Sequence, residues 1–311
     1  MFGKPELSII VPIFNEEGNL QELYSRLAAV LKRQNLSYEI IMVDDGSTDR
    51  SLAKIHELSR QDGAVKAISF SRNFGHMIAL SAGLDHATGE VVITLDADLQ
   101  HPPELIPELV KRWKSGAEIV STVRTETKRG GRFKDLTARC FYWLINKIAR
   151  LDLPANAADY RLLDKKVVVT LKNIRERSRF LRGLIGWVGY KQEFIPYQAD
   201  PRFSGRTKYS LGKMVSFAID GITSFSAVPL RLSAYLGLAI AFFSFLYILY
   251  AIYVRIFTSQ AIAGWTSVLV VVLFIGGVQL IFLGIIGEYL SRVFEETKER
   301  PLYIIREKSG F

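Results

Sequence analysis

Cysteine is almost missing. Cys140 stands alone in 311 residues, which excludes an internal disulfide and any multi-cysteine metal site within one chain. Histidine is scarce as well: His56, His76, His86 and His101 show no HExxH-type spacing and read as ordinary polar residues. Internal repeats and low-complexity linkers are absent, and the length suits one large domain or two smaller ones. Most telling is the absence of charge from two long stretches. Leu232 to Val254 is 23 uncharged residues between Arg231 and Arg255, and a second run reaches from Ile256 to Gly287 before Glu288. As a helix the first spans about 34 Å, enough for a hydrocarbon core of roughly 30 Å. Two membrane spans, about 232–254 and 266–287, are expected rather than buried core helices.

Between the spans the only nearby basic residue is Arg255, whereas the outer flanks carry Arg202, Arg206, Lys208, Lys213 and Arg231, then Arg292, Lys298, Arg300, Arg306 and Lys308. The positive-inside rule places both flanks, and so both termini, in the cytoplasm of an inner-membrane protein. Trp265 marks the far interface and Tyr289 the near one. Met1 to Glu6 leads straight into a strand-like run, so no signal peptide is expected. The net charge of +9 is compatible with nucleic acid, but beside two spans an anionic lipid surface is the better partner. No nucleic-acid motif is present.

What is there begins with alternation. Leu7–Val11, Tyr38–Val43, a run ending at Phe70, Val91–Leu95 and a run ending at Val123 read as buried strands. Helical faces lie between them: Leu20, Leu23, Leu27, Val30 and Leu31; then Leu52, Ile55 and Leu58 behind an Asp49 or Ser47 cap; then segments near His76–Ala87 and Pro103–Trp113. Strands alternating with helices predict a parallel α/β sheet covered on both faces. A basic loop with a Gly-Gly hinge follows Arg124, then a helix with Phe141, Leu144, Ile145 and Ile148 on one face. The resulting division is a domain over 1–210, an interfacial amphipathic helix over 211–230, two spans within 231–289, and a cytoplasmic tail over 290–311.

Ligands of open parallel sheets bind beyond the carboxyl ends of the strands. Those ends read PIFNEE, DDGSTD, SRNFG and DADLQ, so a polar crevice is predicted from topology. One acidic turn could be a helix cap; four converging turns argue for a site. In an extended segment residues two apart share a side, which lets Asp96 and Asp98 face one cation, with Gln100 continuing that side. Carboxylate and amide oxygens suit Mg²⁺ or Mn²⁺, and magnesium commonly bridges carboxylates to substrate phosphates.

Together LSIIVPIFNEE, VDDGSTD, SRNFG, TGEVVITLDADLQHPPE and AADYRLLD resemble the family-2 glycosyltransferases of GT-A fold, over Leu7 to about Tyr209. With the two spans and the VPLRLS entry to the first, the chain is most similar to the polyprenyl-phosphate group, which includes dolichol-phosphate mannose synthases and bacterial undecaprenyl-phosphate glucosyltransferases. The resemblance implies a mostly parallel GT-A domain followed by two transmembrane helices. It implies that Pro12, Phe14, Glu16, Asp44, Asp45 and Arg72 line the nucleotide pocket, and that Asp96, Ala97, Asp98 and Gln100 meet the donor diphosphate. Asp96, Asp98 and Gln100 would hold the metal, and Asp159 matches the acidic residue proposed as catalytic base. RFSGRTKYS matches an R-x-x-G-x-[ST]-K-Y signature through Arg202 and Lys208; Arg124, Arg129 and Arg139 resemble residues that meet the lipid phosphate. The Q-x-x-R-W signature of processive synthases is absent, which argues against chain elongation.

The implied reaction is inverting transfer of one hexose, foremost glucose from UDP-glucose, to a polyprenyl (undecaprenyl) phosphate at the cytoplasmic membrane face. GDP-mannose or an amino-sugar donor, and a membrane-tethered sugar-nucleotide-binding protein without turnover, stay open. The acceptor is mostly dianionic at neutral pH, its second pKa being about 6, so Asp159 can orient as much as act as a base. The basic loop over Arg124–Lys134 reads equally as an acceptor contact or a membrane-surface patch. Gly276, Gly277, Gly284 and Gly287 permit close helix packing and hence a dimer or tetramer.

Overall fold

Runs of branched apolar residues become the middle of a sheet. The structure, a computed structural model, describes residues 5–34, 36–125, 157–177, 179–200, 223, 226–257 and 264–311. Strand β1 (Leu7–Ile13) is buried along its whole length, and β2 (Tyr38–Asp44) nearly so, because each has neighbours on both edges and cover on both faces. β3 (Val65–Phe70), β4 (Val91–Thr94), β5 (Ile119–Arg124), β6 (Ala157–Asp164), β7 (Gln192–Tyr197) and β8 (Ile305–Ser309) complete an eight-stranded sheet in the order β7-β5-β6-β4-β1-β2-β3-β8.

The helices between strands are α1 (Leu20–Lys32), α2 (Ser51–Gln61), α3 (His76–His86) and α4 (Ile106–Lys114). In α1 the expected face is the buried one: Leu20, Leu23, Leu27, Val30 and Leu31 face the core. α3 rests on β1 because Gly83 carries no side chain; a Cβ there would lie 2.2 Å from Ile10 Cγ2. Beyond β6 come α5 (Lys165–Asn173), whose first turn is capped by Asp164 accepting from the Lys166 N–H, and α6 (Leu181–Trp187).

Two strands depart from a purely parallel sheet. β1 pairs in parallel with β2 and β4, and β2 with β3, as the alternation predicts. β5 does not lie beside β4, however. β6 enters between them and is antiparallel to both. β8 is the second departure: it runs antiparallel along the outer edge of β3. Residues 290–311, read from sequence as a tail, therefore include a strand of the sheet.

The chain divides into two compact units, Met1–Gly221 with Arg300–Phe311, and Ile222–Glu299. The second holds α7 (Val228–Phe257) and α8 (Trp265–Thr297), which begins near the expected start and runs about ten residues past the expected end. Both are long and apolar enough to cross a membrane, and none of the apolar window of either is buried. Phe243 and Leu280, for example, are each more than three-fifths exposed. Most of the expected interfacial helix and of the basic loop, the helix with Phe141 and Ile148, and the side chains of Arg255 and Trp265 lie outside the described residues.

Candidate active site

β4 ends at Thr94, and the chain leaves the sheet through buried Leu95. Asp96, Asp98 and Gln100 are then partly open, while Ala97 and Leu99 are 3% and 2% exposed. The expected alternation holds, but not by simple extension. The backbone turns at Ala97 and Asp98, and Leu99 takes a left-handed φ of 61°. That conformation costs a branched side chain about 1–3 kcal/mol and is kept where surroundings over-determine it. Here the Leu99 side chain is packed in the core, and the Gln100 N–H donates to Asp98 Oδ1 at 3.1 Å.

Sheet register delivers the third carboxylate. Thr94 of β4 pairs with Arg161 of antiparallel β6, so two residues further along β4 and two residues back along β6 bring Asp96 beside Asp159. The Thr94 hydroxyl donates to the Asp159 carbonyl oxygen at 2.5 Å and locks this register. Two guanidiniums hold the Asp159 carboxylate. Arg161 Nη2 donates to Oδ1 at 3.0 Å, and Arg182, on α6, donates to Oδ2 at 2.9 Å and to Oδ1 at 3.3 Å. The Asp159 side chain is 12% exposed. Burial alone would raise its pKa, but Arg182, Arg161 and His76 together hold it well below the ordinary carboxylate range. Burial in turn pushes Arg161 down to about 10, against the pull of Asp159.

Histidines complete the cluster. His76, the first residue of α3, places Nε2 2.7 Å from Asp96 Oδ1. Burial disfavours its charged form, yet Asp96 and Asp159 outweigh that and raise it to about 9; water reaches 42% of the side chain and screens the pairing. His101 accepts the Asp96 N–H at Nδ1, 3.2 Å away, and stacks on Tyr160 at 5.4 Å. Asp96 is also held below its ordinary value: burial opposes this, and the charge on His76 prevails.

The ends of β1, β2 and β3 form the adjoining wall. Pro12 lies on β1 where its missing N–H costs nothing: Ile10 accepts the last bond from the β4 side, at Leu95 N–H, and Ile13 accepts from Asp45 N–H on the other. Asn15 ties the first loop to the second, accepting the Thr48 N–H at Oδ1, 2.8 Å, while its own N–H donates to Ser47 Oγ at 3.0 Å. The Glu16 N–H donates to Ser51 Oγ, and Glu16 Oε2 accepts from Asn19 Nδ2 at 2.6 Å. Phe14 lies between these anchors, partly open.

Asp44 and Asp45 are buried and already committed to the protein's own groups. Asp44 accepts from Ser69 Oγ and the Ser47 N–H, at 2.9 and 3.1 Å. Asp45 accepts from the N–H groups of Phe74 and Gly75, at 2.6 and 2.9 Å, at the start of α3. Burial, aided by Asp44, raises the Asp45 pKa despite those amides. Arg72 lies over the Phe74 ring, its guanidinium carbon 4.1 Å from the centroid. Gly46 has φ +69°, and a Cβ on it would sit 2.5 Å from the Arg72 carbonyl carbon. Gly46→Ala is therefore expected to push the second and third loops apart and lower stability by about 1–3 kcal/mol, read as a fall in the thermal unfolding midpoint.

The structure thus gathers Asp96, Asp98, Gln100 and Asp159, and joins Arg124 to them: its Nη2 donates to Gln100 Oε1 at 3.1 Å. Arg129, Arg139, Arg202 and Lys208 lie outside the described residues. Sequence reading missed Arg161 and Arg182, and it treated His76 and His101 as ordinary polar residues. Arg161 was visible two places from Asp159, the spacing that puts both on one side of a strand. Nothing local marked Arg182, which comes from another element. Among the described residues no group of three or more His, Cys, Asp or Glu is disposed to hold a metal by itself. Asp96, Asp98 and Gln100 offer only hard oxygens, which fits an ion that takes its remaining ligands from water and substrate.

Comparison with known proteins agrees with this geometry. Residues 8–171 match the glycosyl transferase family 2 domain, and residues 228–293 match the GtrB C-terminal hairpin. An uncharacterized glycosyltransferase of Bacillus subtilis (strain 168) is 45% identical over 98% of this chain and 94% of its own length. The bactoprenol glucosyl transferase of Shigella phage SfX is 41% identical over 97% and 99%. Glucosyl-3-phosphoglycerate synthase from Mycobacterium tuberculosis, solved with Mn²⁺, uridine diphosphate and phosphoglyceric acid, shares the fold with a TM-score of 0.51 at 17% identity, over 70% of this chain and 76% of that one. The chain belongs to glycosyl transferase family 2: it is a glycosyltransferase of GT-A fold that carries a hairpin of two apolar helices.

Proposed function

We propose that this glycosyltransferase transfers one glucose from UDP-glucose to a polyprenyl phosphate at the cytoplasmic face of the membrane, with inversion at the anomeric carbon. The observation that carries this reading is the joining, in one chain, of a strand-end carboxylate cluster to two helices with their apolar faces exposed. A soluble acceptor would give no use for that hairpin; a lipid phosphate at headgroup level does. Relatives named as bactoprenol glucosyl transferases match nearly the whole chain, which supports both the lipid and the sugar.

Asp96, Asp98 and Gln100 would hold Mg²⁺ or Mn²⁺. The bound ion would offset negative charge on the leaving diphosphate. Arg72 and the loops around Asp44 and Asp45 would receive the nucleoside. Asp159, pinned as a carboxylate by Arg161 and Arg182, is a poor proton acceptor, and an ionised phosphate nucleophile does not require one. Its role in this reading is to fix Arg182 and Arg161 in place and to set the local field. Arg124, beside Gln100, would draw the acceptor phosphate toward the donor.

The test is transfer of radiolabel from UDP-glucose, UDP-N-acetylglucosamine and GDP-mannose to undecaprenyl phosphate, using the full chain in detergent. Labelled lipid from UDP-glucose, dependent on a divalent ion, is the expected result. Label from another donor alone would reassign the sugar, and no labelled lipid from any donor would remove the reading.

A further inference from the structure

After the second apolar helix the chain returns to the outer edge of β3 and meets the loop that carries Arg72. The Ser71 N–H donates to the Ile304 carbonyl at 3.0 Å. One residue earlier, Tyr303 stacks on Phe70, with ring centroids 5.1 Å apart and planes 18° from parallel. Its hydroxyl donates to Asp85 Oδ2 at 2.9 Å, an oxygen that also accepts from Arg175 at 3.0 Å, so the ring is fixed at both ends. Phe70 in turn meets Phe74 edge to face at 5.6 Å, and Phe74 is the ring beneath Arg72. The β3–β8 register shifts between Ser69 and Phe70, where the strand gives way to this loop. Such irregularities commonly re-aim side chains next to sites.

We propose that Tyr303 is a positioning residue for donor binding: through Phe70 and Phe74 it sets where the Arg72 guanidinium stands. The opposite side of the same loop is held by Asp45, which accepts from the Phe74 and Gly75 amides. Asp45 therefore fixes the backbone of the loop, and Tyr303 fixes the rings that support Arg72. The inference rests on the reading of Arg72 as a nucleotide contact.

The experiment measures binding of UDP and of GDP, each with Mg²⁺, to the full-length protein in detergent by titration calorimetry, for Tyr303→Ala, Tyr303→Leu, Tyr303→Phe, Arg72→Ala and the Tyr303→Ala/Arg72→Ala double variant. Loss of one aromatic contact predicts about fivefold weaker binding, by Tyr303→Ala, of whichever diphosphate the wild type takes. Tyr303→Leu, which keeps apolar volume should the alanine variant not fold, shows the same loss. Tyr303→Phe, which keeps the stack, stays within about twofold of wild type. Added to Arg72→Ala, the Tyr303 change costs nothing further, because both act through one group. In transfer assays the donor KM rises with kcat unchanged, a split that general loss of fold does not produce. Wild-type binding by the leucine variant, or a fully additive double variant, overturns the proposal. Normal binding by Arg72→Ala would instead remove the nucleotide reading of Arg72, and the proposal with it.

Discussion

Asp98→Ala is expected to lose sugar transfer by a factor of at least about 10²–10³ in kcat/KM while keeping the fold. Asp98 is partly open, and its carboxylate accepts the Gln100 N–H in the turn, a bond whose loss costs on the order of 1 kcal/mol. If Asp98 shares an ion with the leaving diphosphate, in contrast, the loss falls on the transition state, where negative charge grows. Asp98→Asn sharpens the comparison. The amide oxygen can still accept the Gln100 N–H and keep the turn, yet its weaker donor charge should leave transfer nearly as low as in the alanine variant. Initial rates against Mg²⁺ concentration, beside melting curves of both variants, measure this. Unchanged turnover in Asp98→Ala would show that the carboxylate pair does not hold the ion.

Arg182→Ala should produce the largest fall in stability. It removes two hydrogen bonds and a positive charge from a carboxylate that is 12% exposed, leaving Arg161 as its only described guanidinium partner. Breaking a buried pair in this way costs about 3–5 kcal/mol, because the surviving charge stays desolvated. For a unit of this size the thermal midpoint should drop by roughly 10 °C. The pH dependence follows from the sign of the shift. Asp159 is held below its ordinary pKa, so its stabilising contribution is complete at neutral pH. It begins to fade only as pH drops past the unfolded carboxylate value of about 4, and is lost on passing the lower folded value. Removing Arg182 lifts that folded value. The stability gap between wild type and variant should therefore narrow in acid, and melting curves between pH 7 and pH 3 would record it. A gap independent of pH would mean that the loss comes from packing of α6 and not from the ion pair. Arg182→Lys, which keeps the charge but not the two-point contact, should fall between them.

How much of this could be read beforehand depends on distance along the chain. The apolar stretches of β1 to β5 and the face of α1 were legible because burial repeats within a few residues. So was the alternation in burial from Asp96 to Gln100, although the turn at Leu99 was not. β6 was hidden by its content: AADYRLLD puts Asp159, Arg161 and Asp164 into a strand whose charges look like those of a loop until their partners are known. β7 carries Pro196 and β8 three charged residues in five, features that edge strands tolerate and that weaken the strand signal. Arg182 and His76 reach the site from different helices, and only the antiparallel register of β4 and β6 decides what they meet. The apolar hairpin was legible from its missing charges alone, whereas the return of the chain to β3 afterwards had no local mark.

That return has a consequence in time. The edge of β3 accepts a strand that is encoded 235 residues later, from Phe70 to Ile305, and both apolar helices lie between the two. At ribosomal rates of about 5–20 residues per second, some 10–50 s pass before β8 exists. Throughout that interval β3 presents an unpaired edge, a template for wrong partners. Nascent chains stalled anywhere before Ile305 should therefore be more prone to aggregate than the finished chain, and the sheet is finished only once the hairpin has been made.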